Sequence, residues 1–312
     1  MKSIPKLSVA LLFACFAGLC SAQKIAKVTL SAAAIQGGSA VTGTLDLGVK
    51  VDKTPVVVTL TSTSTAITLP ASATVAVGQS TATFPIATTP VPADVAVTIK
   101  ATVGKSTASA SFNLQSPRLS EFTFSPASAQ GGTTATGIIK INSPAPPGGV
   151  KIVLTSNTSL WKGPPSCQIQ AGSTTTNFAL TTEPVVGVTD MNVLAALGGS
   201  KIMANMNLTP AQFTSFRLTN PSVVGGTKTT GLLLLNGPAP KEGFKVRVSC
   251  DSRLVKMPLY VTIPAGQNSA TFNVDTKAVT KSSTIRITAG GAGAWVELSL
   301  EITPAIITKT GG

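Results

Sequence analysis

The chain has no histidine. That removes the usual general base, the Ser–His and Cys–His nucleophile pairs, and the commonest zinc ligand. Paired carboxylates could still support acid–base chemistry, but only eleven acids are present, and the two closest in sequence, Glu297 and Glu301, stand four residues apart. The basic residues are more informative. Lys245 and Arg247 alternate with Phe244, Val246 and Val248, so on an extended strand both side chains point away from the core. Arg253 and Lys256 follow shortly after. These four make a candidate patch for an anionic polymer such as lipopolysaccharide, a cell-wall acid or DNA. The plainer reading is a solvated face that keeps the protein soluble. Trp295 follows Gly290-Gly291-Ala292-Gly293 and is either an exposed sugar-stacking ring or an ordinary core residue. Tyr260 is the sole tyrosine, so exposed rings for base stacking are nearly absent and specific nucleic-acid recognition is not expected.

A repeat positions these residues. Gln36-Gly37-Gly38 returns as Gln130-Gly131-Gly132 and again as Val224-Gly225-Gly226, an interval of 94 residues each time. Gly43, Gly137 and Gly231 keep that interval, as do Gly78, Gly172 and Gly266, each followed six residues later by Phe84, Phe178 or Phe272. Four landmarks in register, twice over, define three copies of one unit. Within the first copy Val41, Gly43, Leu45 and Leu47 alternate with polar residues, the pattern of a half-buried strand. Further strands are expected over 55–61, 73–77, 81–86, 95–103 and 107–114, and in the third copy over 244–248, 260–263, 270–274 and 284–288. About seven short strands separated by Gly, Pro and Ser turns form a β-sandwich. Gly37-Gly38 and its copies allow the positive φ of a tight turn. Gly43 and its copies, inside a strand, suggest a bulge or a close approach of backbone. No helix with caps follows these glycines, so a phosphate loop is not expected.

The repeat also tests for chemistry. Asp46 aligns with Lys140 and Leu234, Asp190 with Ala96 and Thr284, and Asp275 with Ala87 and Thr181. A calcium-binding repeat would be expected to repeat its acidic ligands, so no metal and no cofactor is expected. Trp161 aligns with Ile67 and Val255 and reads as a core residue. Cys167 and Cys250 fall at different positions of different repeats, which rules out an intradomain bridge, and they read as buried free thiols. The third repeat with its tail carries eleven basic and five acidic residues, half of all the basic residues beyond position 22.

The N-terminus reads as an export signal. Lys2 and Lys6 precede an apolar stretch from Leu7 to Leu19, and Cys20-Ser21-Ala22 provides small residues for cleavage after Ala22. The competing site is Leu12-Phe13-Ala14-Cys15, a lipoprotein-type sequence spoiled by its bulky Phe13. No later segment is long and apolar enough to cross a membrane. The expected organisation is a signal peptide over 1–22, domains over 23–117, 118–211 and 212–305, and a tail over 306–312. Junctions of about three residues containing Pro117, Pro210 and Pro304 restrict the neighbours to a semi-rigid rod.

The run Gly225-Gly226, Gly231, Pro238-Ala239-Pro240, Phe244-Lys245-Val246, Ile263-Pro264-Ala265-Gly266, Ala270-Thr271-Phe272 and Thr284-Ile285-Arg286-Ile287 resembles bacterial Ig-like repeats of secreted and cell-surface proteins. The resemblance covers nearly all of the chain after the signal. It implies an all-β fold of three tandem Ig-like Greek-key β-sandwiches and no catalytic residues. The expected function is that of an exported spacer or adhesin, secreted, periplasmic or on the cell surface, whose partner is a protein or a cell-surface polymer. The alternative is a non-catalytic binding module for an anionic polymer or polysaccharide. An enzyme would need two carboxylates converging in one cleft.

Overall fold

The computed structural model describes residues 23–305. The expected signal peptide with Cys15 and the expected 306–312 tail lie outside the described residues. The chain divides into two compact units: one runs to Gln115, leaving out residues 90–93, and the other runs from Ser116 onward.

The first unit holds nine strands: β1 (Lys27–Leu30), β2 (Ala34–Gln36), β3 (Ala40–Asp46), β4 (Val56–Ser62), β5 (Ile67–Thr68), β6 (Ser72–Val75), β7 (Thr81–Thr88), β8 (Val95–Val103) and β9 (Ser106–Gln115). They form two sheets, ordered β1-β3-β7-β5 and β2-β9-β8-β4-β6. Alternation does the work expected of it. Val41, Leu45, Phe84 and Ile86 from one sheet and Val58, Leu60, Val97, Ile99, Phe112 and Leu114 from the other are all buried, each contributing about 1.5–3 kcal/mol through burial.

The second unit repeats this plan twice. Its first sandwich has β10 (Leu119–Ser125), β11 (Ser128–Gln130), β12 (Thr134–Ile141), β13 (Val150–Ser156), β14 (Trp161–Lys162), β15 (Ser166–Ile169), β16 (Thr175–Thr182), β17 (Thr189–Leu197) and β18 (Ser200–Thr209). The other has β19 (Phe213–Leu218), β20 (Ser222–Val224), β21 (Lys228–Leu235), β22 (Phe244–Cys250), β23 (Val255–Lys256), β24 (Tyr260–Ile263), β25 (Ser269–Thr276), β26 (Ser283–Gly291) and β27 (Ala294–Thr303). The sheet orders match those of the first unit strand for strand. The fold is three tandem Ig-like sandwiches, all-β, with no helix among the described residues. Each sandwich has nine strands where about seven were expected. Strands of two to four residues, such as β2 and β5, are too short to show a period of two.

The glycines inside strands have a specific reason. Gly43 lies directly across from Phe84, Gly137 from Phe178 and Gly231 from Phe272. In each pair the phenyl ring folds over the glycine and occupies the space where a Cβ would stand. The close approach is therefore by a cross-strand ring, not by another backbone. In the Gly-Gly turns only the second glycine takes a positive φ, at 94° for Gly38, 86° for Gly132 and 91° for Gly226. A threonine closes each of these turns. Thr182 Oγ1 accepts from Gly132 N–H at 3.1 Å and donates to Thr133 O at 3.2 Å. Thr88 and Thr276 do the same for Gly38 and Gly226.

Two further features position the candidate site. Between β22 and β25 the chain changes sheet at every step, because β22 and β24 belong to the five-stranded sheet while β23 and β25 belong to the four-stranded one. Within the second unit a polar joint ties one sandwich to the next. Gln130 Nε2 donates to Asn236 Oδ1, which also accepts from Gln212 N–H at 2.7 Å.

Candidate functional site

Residue pairing across the last five-stranded sheet sets out the site. Arg247 on β22 lies opposite Tyr260 on the edge strand β24 and, on its other side, opposite Gly290 on β26. Gly290 in turn lies opposite Trp295 on β27. One row perpendicular to the strands therefore reads Tyr260, Arg247, Gly290, Trp295, and it spans three strand spacings, about 14 Å. Tyr260 is 47% and Trp295 58% exposed. The outward direction follows from the alternation of β22, in which Lys245 and Arg247 are exposed while Val246 and Val248 are buried.

Glycine at 290 shapes this row. A Cβ there would run into the indole of Trp295, so the ring settles onto the backbone of β26 with its far face toward solvent. Trp295 is thus the exposed ring of the two readings open from the sequence. Lys245 is held differently. Its Nζ stands 4.2 Å from the centroid of the Tyr260 ring, a cation–π contact worth about 0.5–1 kcal/mol at an exposed position. Neither Lys245 nor Arg247 has an ion-pair partner among the described residues. One row further along the strands, the Ser249 and Thr288 hydroxyls meet at 2.7 Å. Beyond them Arg286 reaches Asp251 at 3.5 Å and Glu297 at 3.8 Å, which places these acids beside a cation of their own. The β26–β27 hairpin beside the row turns at Ala292, φ 50°, where the other two sandwiches have Gly104 and Gly198 at φ 54°.

The same four register positions occur in the other sandwiches with different chemistry. In the first they are Ser72, Thr59, Thr102 and Thr107. In the second they are Ser166, Val153, Ala196 and Lys201. The framework is common to all three, and the pairing of two rings with unpaired cations belongs to the third.

Arg253 and Lys256 lie elsewhere. Lys256 sits on β23, at the edge of the opposite sheet, and Arg253 in the turn leading to it. With Lys277 they line a shallow groove beside Met257, Pro258 and Leu259. The structure thus splits the four basic residues into two pairs, because the chain changes sheet between them. Tyr260 and Lys277 are members of these two surfaces that sequence reasoning did not single out. Only the strand register, which carries Tyr260 next to Arg247, could have revealed the former.

The remaining sequence candidates are structural. Trp161 is half-buried, its ring 6.0 Å from Phe178 and 6.3 Å from Phe124. Cys167 and Cys250 are free and half-buried rather than buried. Burial raises the Cys167 thiol above its ordinary value, which lowers its thiolate fraction at any given pH. Alkylation of Cys167 at pH 8 is therefore expected to run slower than that of an unstructured cysteine peptide. Mass spectrometry of iodoacetamide-treated native protein checks this, and equal rates would contradict it. Among the described residues, no three His, Cys, Asp or Glu side chains group so as to hold a metal ion, and no helix is long and apolar enough to cross a membrane.

No protein-family model matches this chain, and comparison with curated proteins finds no match in sequence. In structure it is similar to the I9-I11 tandem from titin, at 12% identity, covering 89% of this chain and 100% of that one with a TM-score of 0.35. It is also similar to the Yersinia pseudotuberculosis adhesin InvE, at 15% identity over 59% of this chain and 60% of that one, with a TM-score of 0.31. The Ig-like architecture is carried by the sheet orders themselves.

Proposed function

We propose that this chain is an exported, non-catalytic interaction protein. Its sandwiches act as a spacer or adhesin at the cell surface or outside it, and the third one carries the recognition face. The observation that supports this most is the difference among the repeats: one framework is used three times, and unpaired cations beside exposed rings occur at these positions in the third alone. The absence of histidine and the sparse acids support a role in binding over catalysis. The partner on this reading is a protein or a cell-surface polymer. The polymer is favoured by the cations of the Tyr260–Trp295 row, which suit an anionic chain.

Export is tested on the protein as its cell makes it. The expected result is a mature N-terminus at Gln23, read by mass spectrometry, with the protein found in the medium, in the periplasm or on intact cells. An intact Met1 terminus with the chain confined to the cytosol would overturn export. A lipid on Cys15 would replace free secretion by anchoring.

A further inference from the structure

We infer that the outer face of the third sandwich, along the row Tyr260–Arg247–Gly290–Trp295, is a binding site for an acidic polysaccharide. This rests on the interaction reading above and names its partner class. The indole of Trp295 offers one open, flat face, because Gly290 lets the ring lie on the sheet. The C–H face of a pyranose ring stacks on such a surface, and an aromatic ring is the usual apolar half of an amphipathic recognition site. Arg247, next to Gly290 in the same row, presents a planar guanidinium that can take a carboxylate or sulfate with two parallel hydrogen bonds. Lys245 adds a second cation, held in place by the Tyr260 ring. The row is extended and open along its length, so it suits a chain and not a single sugar enclosed in a pocket.

Charge and stacking together favour sugar over nucleic acid. Successive bases need successive open rings, and here Lys245 lies over the Tyr260 ring, leaving Trp295 as the one open ring of the row. Glu297, two residues from Trp295 on the same face, is paired with Arg286. It sets the boundary of the cationic end, toward which the acidic groups of the ligand are directed.

The test uses the full chain in affinity gels containing polygalacturonate, dextran sulfate, neutral dextran or polyphosphate, with oligo(dT) binding measured in parallel. Retardation is expected in polygalacturonate, dextran sulfate or both, and the comparison separates carboxylate from sulfate as the preferred group. Neutral dextran is expected to have no effect. Trp295→Ala should lower affinity for the acidic polysaccharide about tenfold or more, the scale of one lost aromatic stack, and Trp295→Phe should restore part of it. Arg247→Ala should flatten the salt dependence by about one contact. Arg247→Glu should weaken binding further, and Lys50→Glu, at an exposed lysine of the first sandwich, is its control for net charge. Polyphosphate, which has charge without rings, should be indifferent to Trp295→Ala. Melting curves confirm that each variant remains folded. The site is refuted by failure to bind either acidic polysaccharide, by Lys50→Glu weakening binding as much as Arg247→Glu, or by binding that ignores Trp295→Ala. Trp295-dependent binding of oligo(dT) at equal strength would reassign the face to single-stranded nucleic acid. Any of these failures, with export intact, leaves the interaction reading standing on another partner.

Discussion

Phe178→Ala is expected to destabilise the second sandwich by about 3–5 kcal/mol, the range for removing a buried aromatic ring. Phe178 is buried between the sheets, with Phe122 and Trp161 at 6.2 and 6.0 Å, so its removal leaves a cavity beside these rings. Its ring also covers Gly137. Gly137→Ala is expected to cost about 1–3 kcal/mol, because the added methyl collides with a ring that a packed core cannot move aside. The pair should not be additive. With the ring gone, the methyl of Gly137→Ala enters vacated space, so the double variant should cost less than the two single variants together by about 0.5–3 kcal/mol. Urea unfolding followed by fluorescence in a Trp295→Phe background, which leaves Trp161 as the indole of the chain, reads all three, since Trp161 packs against Phe178. Strict additivity would show that the ring and the glycine are not in contact.

Thr182→Val should cost about 1–2 kcal/mol, within the range for stranding one donor away from water. Valine has nearly the same shape, so the change isolates the hydroxyl. Thr182 is 2% exposed, and its Oγ1 accepts from the Gly132 N–H. The Thr133 carbonyl keeps the Thr182 backbone N–H as a donor at 3.0 Å, so the loss falls mainly on Gly132. Thr182→Ser should retain most of the stability. Thr88→Val in the first sandwich should cost less, because that hydroxyl bond is exposed to solvent. The same unfolding measurement decides for Thr182, and a valine variant as stable as the native chain would mean that water replaces the hydroxyl.

The fold was legible because glycine and phenylalanine are punctuation in a chain dominated by Thr, Ser, Ala and Val. Gly43 and Phe84 recur at a fixed interval, and each marks a place where only one residue type fits. Thr88, Thr182 and Thr276 recur at the same interval with as firm a structural role, yet one threonine among many carries no visible mark. The strand β1, and β2 and β5 with their copies, escaped notice for a different reason: at two to four residues they are too short to alternate. The site was half legible. Alternation placed Lys245 and Arg247 outward together, as β22 shows. It could not place Arg253 and Lys256, since grouping them with the first pair assumes that the chain stays on one face, and it crosses to the other sheet. Tyr260 and Trp295 are 35 residues apart in sequence, and only the registers of three strand pairs bring them into one row.

The short strand near the start of each sandwich pairs in parallel with its last strand, β2 with β9, β11 with β18 and β20 with β27. Backbone bonds close both ends of each pairing: Asn113 N–H to Ala33 O at 2.9 Å and Gly37 N–H to Gln115 O at 3.0 Å in the first sandwich, with counterparts in the other two. Tension that enters a sandwich at one chain end and leaves at the other pulls these two strands in opposite directions along their length. Their hydrogen bonds lie across that pull and share it, so they must yield together and cannot be unzipped one at a time. Each sandwich thus carries a shear clamp across its own ends, built from the parallel pairing of its short early strand with its last strand.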